Sequence, residues 1–227
     1  MKLSQYKQPL FKRKSTNEDL DQEEYSESDQ LGFFANYQQI ANYSVPIDGS
    51  FREPAFYRGV INMLMNASEH DTVAFMINSP GGSLSGLLSL LEGIKMTNAN
   101  TVALVVGAAS SAASMFALHC DEVYVGDNAT FLCHNISYGT GGKGSDVLAH
   151  VQHTSSSASK LLRKTYKNFL SEIEITDMIN GKEIYMEAEE IVERLQQREE
   201  LIEAENAPKV EPEVKPKRKP KKLNPDL

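Results

Sequence analysis

Between residues 40 and 134, short continuous apolar runs alternate with segments in which apolar residues recur at helical spacing. The continuous runs predict strands at 40–47, 73–77, 101–106, 123–125 and 130–133. The segments between them predict helices at 53–67, 83–96 and 111–118. Because the apolar residues of these strands are continuous rather than alternating, above all at 73–77 and 101–106, we expect burial on both faces and a mainly parallel α/β sheet.

A long helix is predicted at 145–170, after the glycine-rich loop 139–144. A phosphate-binding role for this loop is disfavoured, because no Gly-Lys-Ser/Thr follows at P-loop spacing. The apolar residues of the helix form one narrow stripe: Val147, Val151, Ala158, Leu162 and Phe169. A thin apolar seam on a polar helix is typical of packing on a partner rather than into a core.

The chain is predicted to contain one domain, at 32–197, between two charged extensions. Residues 1–31 place basic residues before a run of acids, which predicts a flexible N-terminal arm. Residues 198–227 become rich in proline and lysine, which predicts an extended, solvated tail.

Composition narrows the function classes. The net charge of −8 argues against a general nucleic-acid binder, and we expect no nucleic-acid partner. No apolar run reaches the roughly 18 residues that a membrane span needs, and the polar start lacks a signal-peptide core, so we expect a cytoplasmic protein. Cys120 and Cys133 lie in apolar surroundings and are predicted to be reduced, buried thiols. We expect no metal site and no cofactor.

The turn between strand 73–77 and helix 83–96 reads Asn-Ser-Pro-Gly-Gly-Ser at 78–83. Its glycines and its hydroxyl N-cap place bare backbone N–H groups beside a helix N-terminus. Such an arrangement favours an anion or a developing oxyanion. Glycine turns between a strand and a helix are common, so this turn identifies a site only together with other groups.

A second small-residue turn, Gly-Ala-Ala-Ser-Ser at 107–111, offers hydroxyl groups at the end of the next core strand. Ser110, Ser111 and Ser114 are all candidate nucleophiles, and His134 at the end of a later strand is a candidate base. A serine attacks only when a base takes its proton and N–H donors await the oxyanion. Tight packing of a small-residue helix against the sheet is the alternative interpretation of the turn.

Three segments in this order resemble the Clp protease proteolytic subunit, and its phage-borne members most closely. They are 78–83, 107–111 and Asn-Ala-Thr-Phe-Leu-Cys-His at 128–134. The resemblance covers about residues 38–195. It implies a Clp/crotonase-type spiral of ββα units, a Ser-His-Asp triad at the sheet edge and rings of subunits around a chamber. It also places the helix at 145–170 where the family has a protruding handle that joins two rings.

Carried over from the family's motif, Ser111 takes the position of the nucleophile, since it follows Gly82 by 29 residues as in the family. His134 would be the general base, and the N–H groups of Gly82 and Ala112 would form the oxyanion hole. Ser114 repeats the Ala-Ala-Ser-Met string of cellular members but lies three residues out of register. Register therefore favours Ser111.

The resemblance assigns the triad acid to Glu183, where the family has Asp, with Asp177 as the alternative. A glutamate can orient a histidine as an aspartate does. An exposed helix-cap carboxylate is the non-catalytic interpretation of Glu183. The Gly-Leu-Val-Asp ending of the family is replaced by a helical continuation at 194–197, so we expect the last core strand to be absent or displaced.

The resemblance implies a serine endopeptidase that cleaves unfolded or assembly-associated proteins inside a homo-oligomeric ring. The partner would be an ATP-dependent unfoldase. A phage protein in the host cytoplasm would instead act on capsid or scaffold proteins during head maturation. Two alternatives stay open, a crotonase-like acyl-CoA enzyme and a catalytically silent scaffold subunit. The ordered pair Ser111 and His134 argues against acyl-CoA chemistry, which does not require it.

Overall fold

The structure of the protein, a computed structural model, describes residues 40–206. Strands and helices alternate along this region as the apolar pattern predicts, and the α/β class is confirmed. The strands are β1 (Asn42–Asp48), β2 (Thr72–Ser79), β3 (Asn100–Ser110), β4 (Glu122–Val125), β5 (Thr130–Cys133) and β6 (Ile184–Glu187). The α-helices are α1 (Arg58–Asn66), α2 (Leu84–Met96), α3 (Ala112–Ala117), α4 (Gly144–Tyr166), α5 (Glu172–Ile179) and α6 (Ala188–Asn206).

The helix predicted at 53–67 is divided: a 3-10 turn at Pro54–Tyr57 precedes α1. At the other end, α6 includes the predicted helical continuation at 194–197 and runs on to Asn206. The described residues end with α6, so the expectation about the last core strand stays a prediction. The arm predicted at 1–31 and the tail beyond 206 lie outside the described residues.

The strands form one sheet with the order β1-β2-β3-β5-β6, and β4 also pairs with β3. Every pairing is parallel except β5 with β6, which is antiparallel. The long strand β3 serves two neighbours in turn. Its first part pairs with β4 from Val102 to Val105, and its last part pairs with β5 from Ala108 to Ser110. The carboxyl ends of β3 and β5 therefore lie side by side.

The register between β2 and β3 shifts just before their ends, between Ile77 and Ser79. Asn78 fills this irregularity, and its side-chain oxygen accepts a hydrogen bond from the Ala108 N–H at 3.2 Å. A Cβ at Gly107 would lie 2.6 Å from that oxygen, so a larger residue there would displace the Asn78 side chain from this hydrogen bond. The two motif segments at 78–83 and 107–111 are thus joined directly.

The core lies between the sheet and the helices, and α2 and α3 contribute a large part of it. Phe75 of β2 meets Phe116 of α3 edge to face, with ring centroids 4.9 Å apart. Helix α2 contributes three buried leucines: Leu87, Leu90 and Leu91. Its N-cap is Ser83, whose Oγ accepts from the Gly86 N–H at 3.2 Å. The predicted start and end of this helix are confirmed to within one residue.

The expectation that both faces of the sheet are buried is wrong for part of one face. Met76 of β2 is 41% exposed and Val106 of β3 is 55% exposed. The neighbouring residues Phe75 and Val105, which point to the opposite face, are buried. Continuous apolarity in these strands therefore leaves an open apolar patch on a single chain.

Helix α4 differs from the prediction that its apolar seam packs on a partner. Ala158, Leu162 and, just past the helix, Phe169 are buried in the chain's own core. The seam could not reveal this, because periodicity shows that a helix face is covered but not by what. By contrast, none of residues 144–157 is buried, and Leu148 is 59% exposed.

The pattern missed helix α5 and strand β6, which are short and follow the long helix. Helix α5 begins with a capping box in which Ser171 and Glu174 bond each other's backbone N–H. The Ser-x-x-Glu spacing is a sequence signal that could have located this helix. Arg194 of α6 bonds Glu174 at 2.7 Å, which fixes α6 on α5 and lowers the pKa of Glu174 to about 2. Strand β6 has four residues, too few for periodicity to identify it.

Candidate active site

Ser111 occupies the sharp turn between β3 and α3 and has an unusual backbone conformation. Its φ is 57° and its ψ is −119°, a region that non-glycine residues rarely adopt. Ser111 and Asn168 are the two non-glycine residues with positive φ in the described part of the chain. Strain of this kind collects at functional sites, and a strained strand-to-helix turn is how hydrolases expose a nucleophilic serine.

Backbone hydrogen bonds on both sides of the turn hold Ser111. Its N–H donates to the Leu132 carbonyl of β5 at 2.7 Å, and its carbonyl accepts from the Met115 N–H at 3.1 Å. The Ser111 side chain itself is partly exposed. The turn therefore fixes the backbone while leaving the hydroxyl accessible.

Ser114, the rival nucleophile, has no access to a substrate. Its side chain is completely buried in α3. The hydroxyl donates to the Ser111 carbonyl at 2.8 Å and lies 2.9 Å from the Tyr166 hydroxyl. A hydroxyl that is engaged in the core cannot attack a peptide bond, which leaves Ser111 and its neighbour Ser110 at the surface of the turn.

The Pro-Gly-Gly turn packs directly against the Ser111 turn. A Cβ on Gly81 would lie 2.7 Å from both the Ser110 carbonyl oxygen and the Ser111 Cβ. Gly81 also has a φ of 92°, so both space and conformation require glycine. Sequence reasoning selected Gly82 and missed Gly81, although both belong to the same Pro-Gly-Gly signal.

Two backbone N–H groups beside Ser111 are candidates for binding an oxyanion. Two backbone hydrogen bonds join the Pro-Gly-Gly turn to Phe51. The Phe51 N–H donates to the Gly81 carbonyl at 2.7 Å, and the Ser83 N–H donates to the Phe51 carbonyl at 2.9 Å. Neither bond uses the Gly82 N–H. Ala112 is the first residue of α3, where an N–H has no acceptor within the helix. Helix N-termini favour negative charge at this position.

His134 follows β5 directly and lies at the same edge of the sheet as Ser111. The pairing of Ser110 with Leu132 brings the end of β3 beside the end of β5. Within residues 40–206 the His134 ring forms no hydrogen bond to Ser111 or to Glu183. Catalytic hydrogen bonds are often long in free enzymes and tighten when substrate binds.

The ladder between β5 and β6 ends at the pair Cys133 and Ile184. His134 directly follows β5 and Glu183 directly precedes β6, so a continued antiparallel register would bring the two residues opposite each other. The exposed Glu183 carboxylate accepts a hydrogen bond from the Tyr185 hydroxyl at 2.6 Å, which raises the pKa of Tyr185. Sequence reasoning missed this contact of Tyr185 with the predicted acid.

Asp177, the alternative acid, lies in α5 and pairs with Lys182 at 3.4 Å. The Asn135 side chain donates to the Ile179 carbonyl at 2.7 Å, which ties the segment after His134 to the end of α5. Each of the two carboxylates has another partner, Tyr185 for Glu183 and Lys182 for Asp177. The backbone register favours Glu183.

No group of His, Cys, Asp and Glu side chains within residues 40–206 could hold a metal ion. Both cysteines are free and buried, as predicted. Burial raises the pKa of Cys133 to about 12, so its thiol is neutral and unreactive. The described helices include none that is long and apolar enough to cross a membrane.

The chain matches a known protein family over most of the described region. Residues 45–194 fit the sequence model of the family described as Clp protease, and this is well over half of the chain. The matched region contains the Pro-Gly-Gly turn at 78–83, the Ser111 turn at 107–111, His134 and Glu183. No curated protein matches the chain. On this evidence, the chain belongs to the Clp protease family.

Proposed function

We propose that the protein is a serine endopeptidase in which Ser111 attacks the peptide bond and His134 takes its proton. The observation that carries this proposal is the strained Ser111 turn, packed against the Pro-Gly-Gly turn in a chain of the Clp protease family. The N–H groups of Gly82 and Ala112 bind the oxyanion of the tetrahedral intermediate. Glu183 orients His134 and stabilises its charged form.

The proposal is tested by the hydrolysis of an internally quenched peptide and by its inhibition with a fluorophosphonate. A peptidase with this site hydrolyses the peptide and loses activity as the reagent phosphonylates one serine, with loss of fluoride. A catalytically silent scaffold subunit does neither. A crotonase-like enzyme does not react with the fluorophosphonate, because its chemistry uses the oxyanion hole without a nucleophilic serine.

Replacing Glu183 with glutamine tests the acid. We expect Glu183→Gln to lower kcat by about 10²-fold or more, because the imidazole loses the carboxylate that holds its tautomer. Asp177→Asn is the matched control and is expected to keep near-normal kcat in the same peptide assay. The reverse result, an active Glu183→Gln and an inactive Asp177→Asn, would move the role of the acid to Asp177.

The active form is proposed to be a homo-oligomeric ring, with the exposed half of α4 as the handle that joins two rings. Residues 144–157 project without buried side chains and carry the exposed apolar residues Leu148 and Val151. Tyr138 stays beside this half of the helix, and its hydroxyl donates to the Val151 carbonyl at 3.3 Å. Two copies of such a surface can pack on each other about a twofold axis.

Leu148→Glu combined with Val151→Glu is expected to lower the native mass and the peptidase activity together. Each change places a charge where the assembly buries an apolar side chain, and burial of such a side chain contributes about 1.5–3 kcal/mol. Native mass spectrometry measures the result. The control is Gln152→Glu with Ser155→Glu on the same exposed segment. If the apolar pair is replaced without any change in mass, this interface is excluded.

The substrates are proposed to be unfolded or assembly-associated proteins, delivered by an ATP-dependent unfoldase. The open apolar patch at Met76 and Val106 supports a docked partner, because a lone chain leaves it in water. The resemblance to phage-borne members supports a second setting in the host cytoplasm, where capsid proteins are cleaved without an ATPase. Native mass measured with and without a candidate ATPase separates the two settings.

A further inference from the structure

A buried polar pair lies beneath the Ser111 turn, in a part of the core that the proposed mechanism does not use. The hydroxyl oxygens of Ser114 and Tyr166 are 2.9 Å apart, and both side chains are completely buried. Burial raises the pKa of the Tyr166 phenol well above its usual range. The phenol is therefore a neutral donor, and leaving it without an acceptor in the core would be costly.

The Ser114 hydroxyl reaches both carbonyl groups that define the position of Ser111. It lies 2.8 Å from the Ser111 carbonyl oxygen and 3.2 Å from the Leu132 carbonyl oxygen. The Leu132 oxygen is the acceptor of the Ser111 N–H at 2.7 Å. One hydroxyl thus joins the end of β5 to the turn that carries the candidate nucleophile.

The hydrogen-bonding capacity of each hydroxyl fixes the direction of this chain. Ser114 has a single proton, which it shares between the two carbonyl oxygens, so its own oxygen is left to accept. Tyr166 supplies the matching donor. The Cys133 thiol also lies 4.0 Å from the Ser114 oxygen, but a thiol is a weak donor and cannot replace the phenol.

We propose that Tyr166 and Ser114 are positioning residues, whose hydrogen-bonded hydroxyls hold the Ser111 turn in its strained conformation. Such a conformation persists only where several contacts determine it together. Tyr166 lies in the last turn of α4, so the pair also connects that helix to the turn. The effect of this pair on catalysis rests on the proposed nucleophilic role of Ser111, whereas its effect on the conformation of the turn does not depend on that role.

The variants Tyr166→Phe, Ser114→Ala and their combination remove the hydroxyls with little change in shape. Thr165→Val is the matched control on the same helix. Thr165 is buried, and its hydroxyl has no hydrogen-bond partner within residues 40–206. Thermal unfolding of each variant identifies the folded ones. Tyr166→Phe loses a single oxygen atom and carries the test if Ser114→Ala does not fold.

The first measurement is hydrogen exchange at the Ser111 amide in the full chain. We expect exchange about tenfold faster in Tyr166→Phe and in Ser114→Ala, because each loses one link of the chain. The combined variant should be little worse than Ser114→Ala, since the two hydroxyls act as one unit. Thr165→Val should exchange like the wild type. Unchanged exchange in both single variants, or an equal change in Thr165→Val, would overturn the proposal.

The second measurement is the rate of phosphonylation by the fluorophosphonate, with kcat and KM for a peptide substrate. We expect the phosphonylation rate and kcat to fall about tenfold in both single variants, while KM and the native mass stay constant. A fall in kcat through loss of assembly would show in the native mass and would count against positioning. If exchange accelerates as expected but the wild type is not phosphonylated, the proposed peptidase function fails while the ordering of the turn stands.

Discussion

Ser111→Ala is expected to abolish peptide hydrolysis and to leave the fold intact. The nucleophile of a serine peptidase has no substitute, and its removal costs at least about 10⁴-fold in kcat. Alanine and serine adopt the backbone conformation of this position equally well, and the turn keeps its hydrogen bonds to Leu132 and Met115. The measurements are kcat for a quenched peptide and the thermal unfolding midpoint.

Ser110→Ala is the control for this experiment. Ser110 is the adjacent residue, at the end of β3, and it has no part in the proposed mechanism. Its replacement should leave kcat within about twofold of the wild type, an energy change well below 1 kcal/mol. A fully active Ser111→Ala would show that the turn serves another purpose.

His134→Ala is expected to have nearly as large an effect, about 10⁴-fold or more in kcat. Without the base, the Ser111 hydroxyl keeps its proton and is a poor nucleophile. The double variant Ser111→Ala with His134→Ala should be little worse than either single variant, because the members of a triad act as one unit. Single-turnover kinetics on the three variants measures this coupling.

His70→Ala serves as the histidine control. His70 precedes β2, at the opposite end of that strand from the Pro-Gly-Gly turn, and its replacement should not alter kcat. Losses that multiply in the double variant would mean that Ser111 and His134 act independently. The pair would then not be a nucleophile and its base.

Much of the fold was predictable from local patterns. Helix α2 shows why: Ser83 caps it, leucines fill one face, and the glycine turn before it ends the preceding strand. The pairing of β5 with β6 was not predictable. Strands of four residues are too short for periodicity to identify them, and α4 and α5 separate the two strands in the sequence. The apolar seam of α4 predicted that Leu162 packs on a partner, but Leu162 is buried in the chain's own core. A sequence pattern does not identify the surface that covers a helix face.

The candidate site was predictable in its parts but not in its contacts. Register alone favoured Ser111 over Ser114, and the burial of Ser114 excludes the rival for a reason that the string Ala-Ala-Ser-Met does not contain. Two serines in similar small-residue surroundings are distinguished by backbone conformation, which depends on the strands beside them. The roles of Ser111, His134 and Glu183 remain predictions.

The position of the fluorophosphonate adduct shows whether Ser111 is the nucleophile. The wild-type protein is treated with the reagent, digested, and mapped by tandem mass spectrometry. We expect one adduct, on the Ser111 hydroxyl, formed before any other serine reacts. An adduct on Ser114 or Ser110, or an unmodified Ser111 in a protein that hydrolyses peptides, would contradict it.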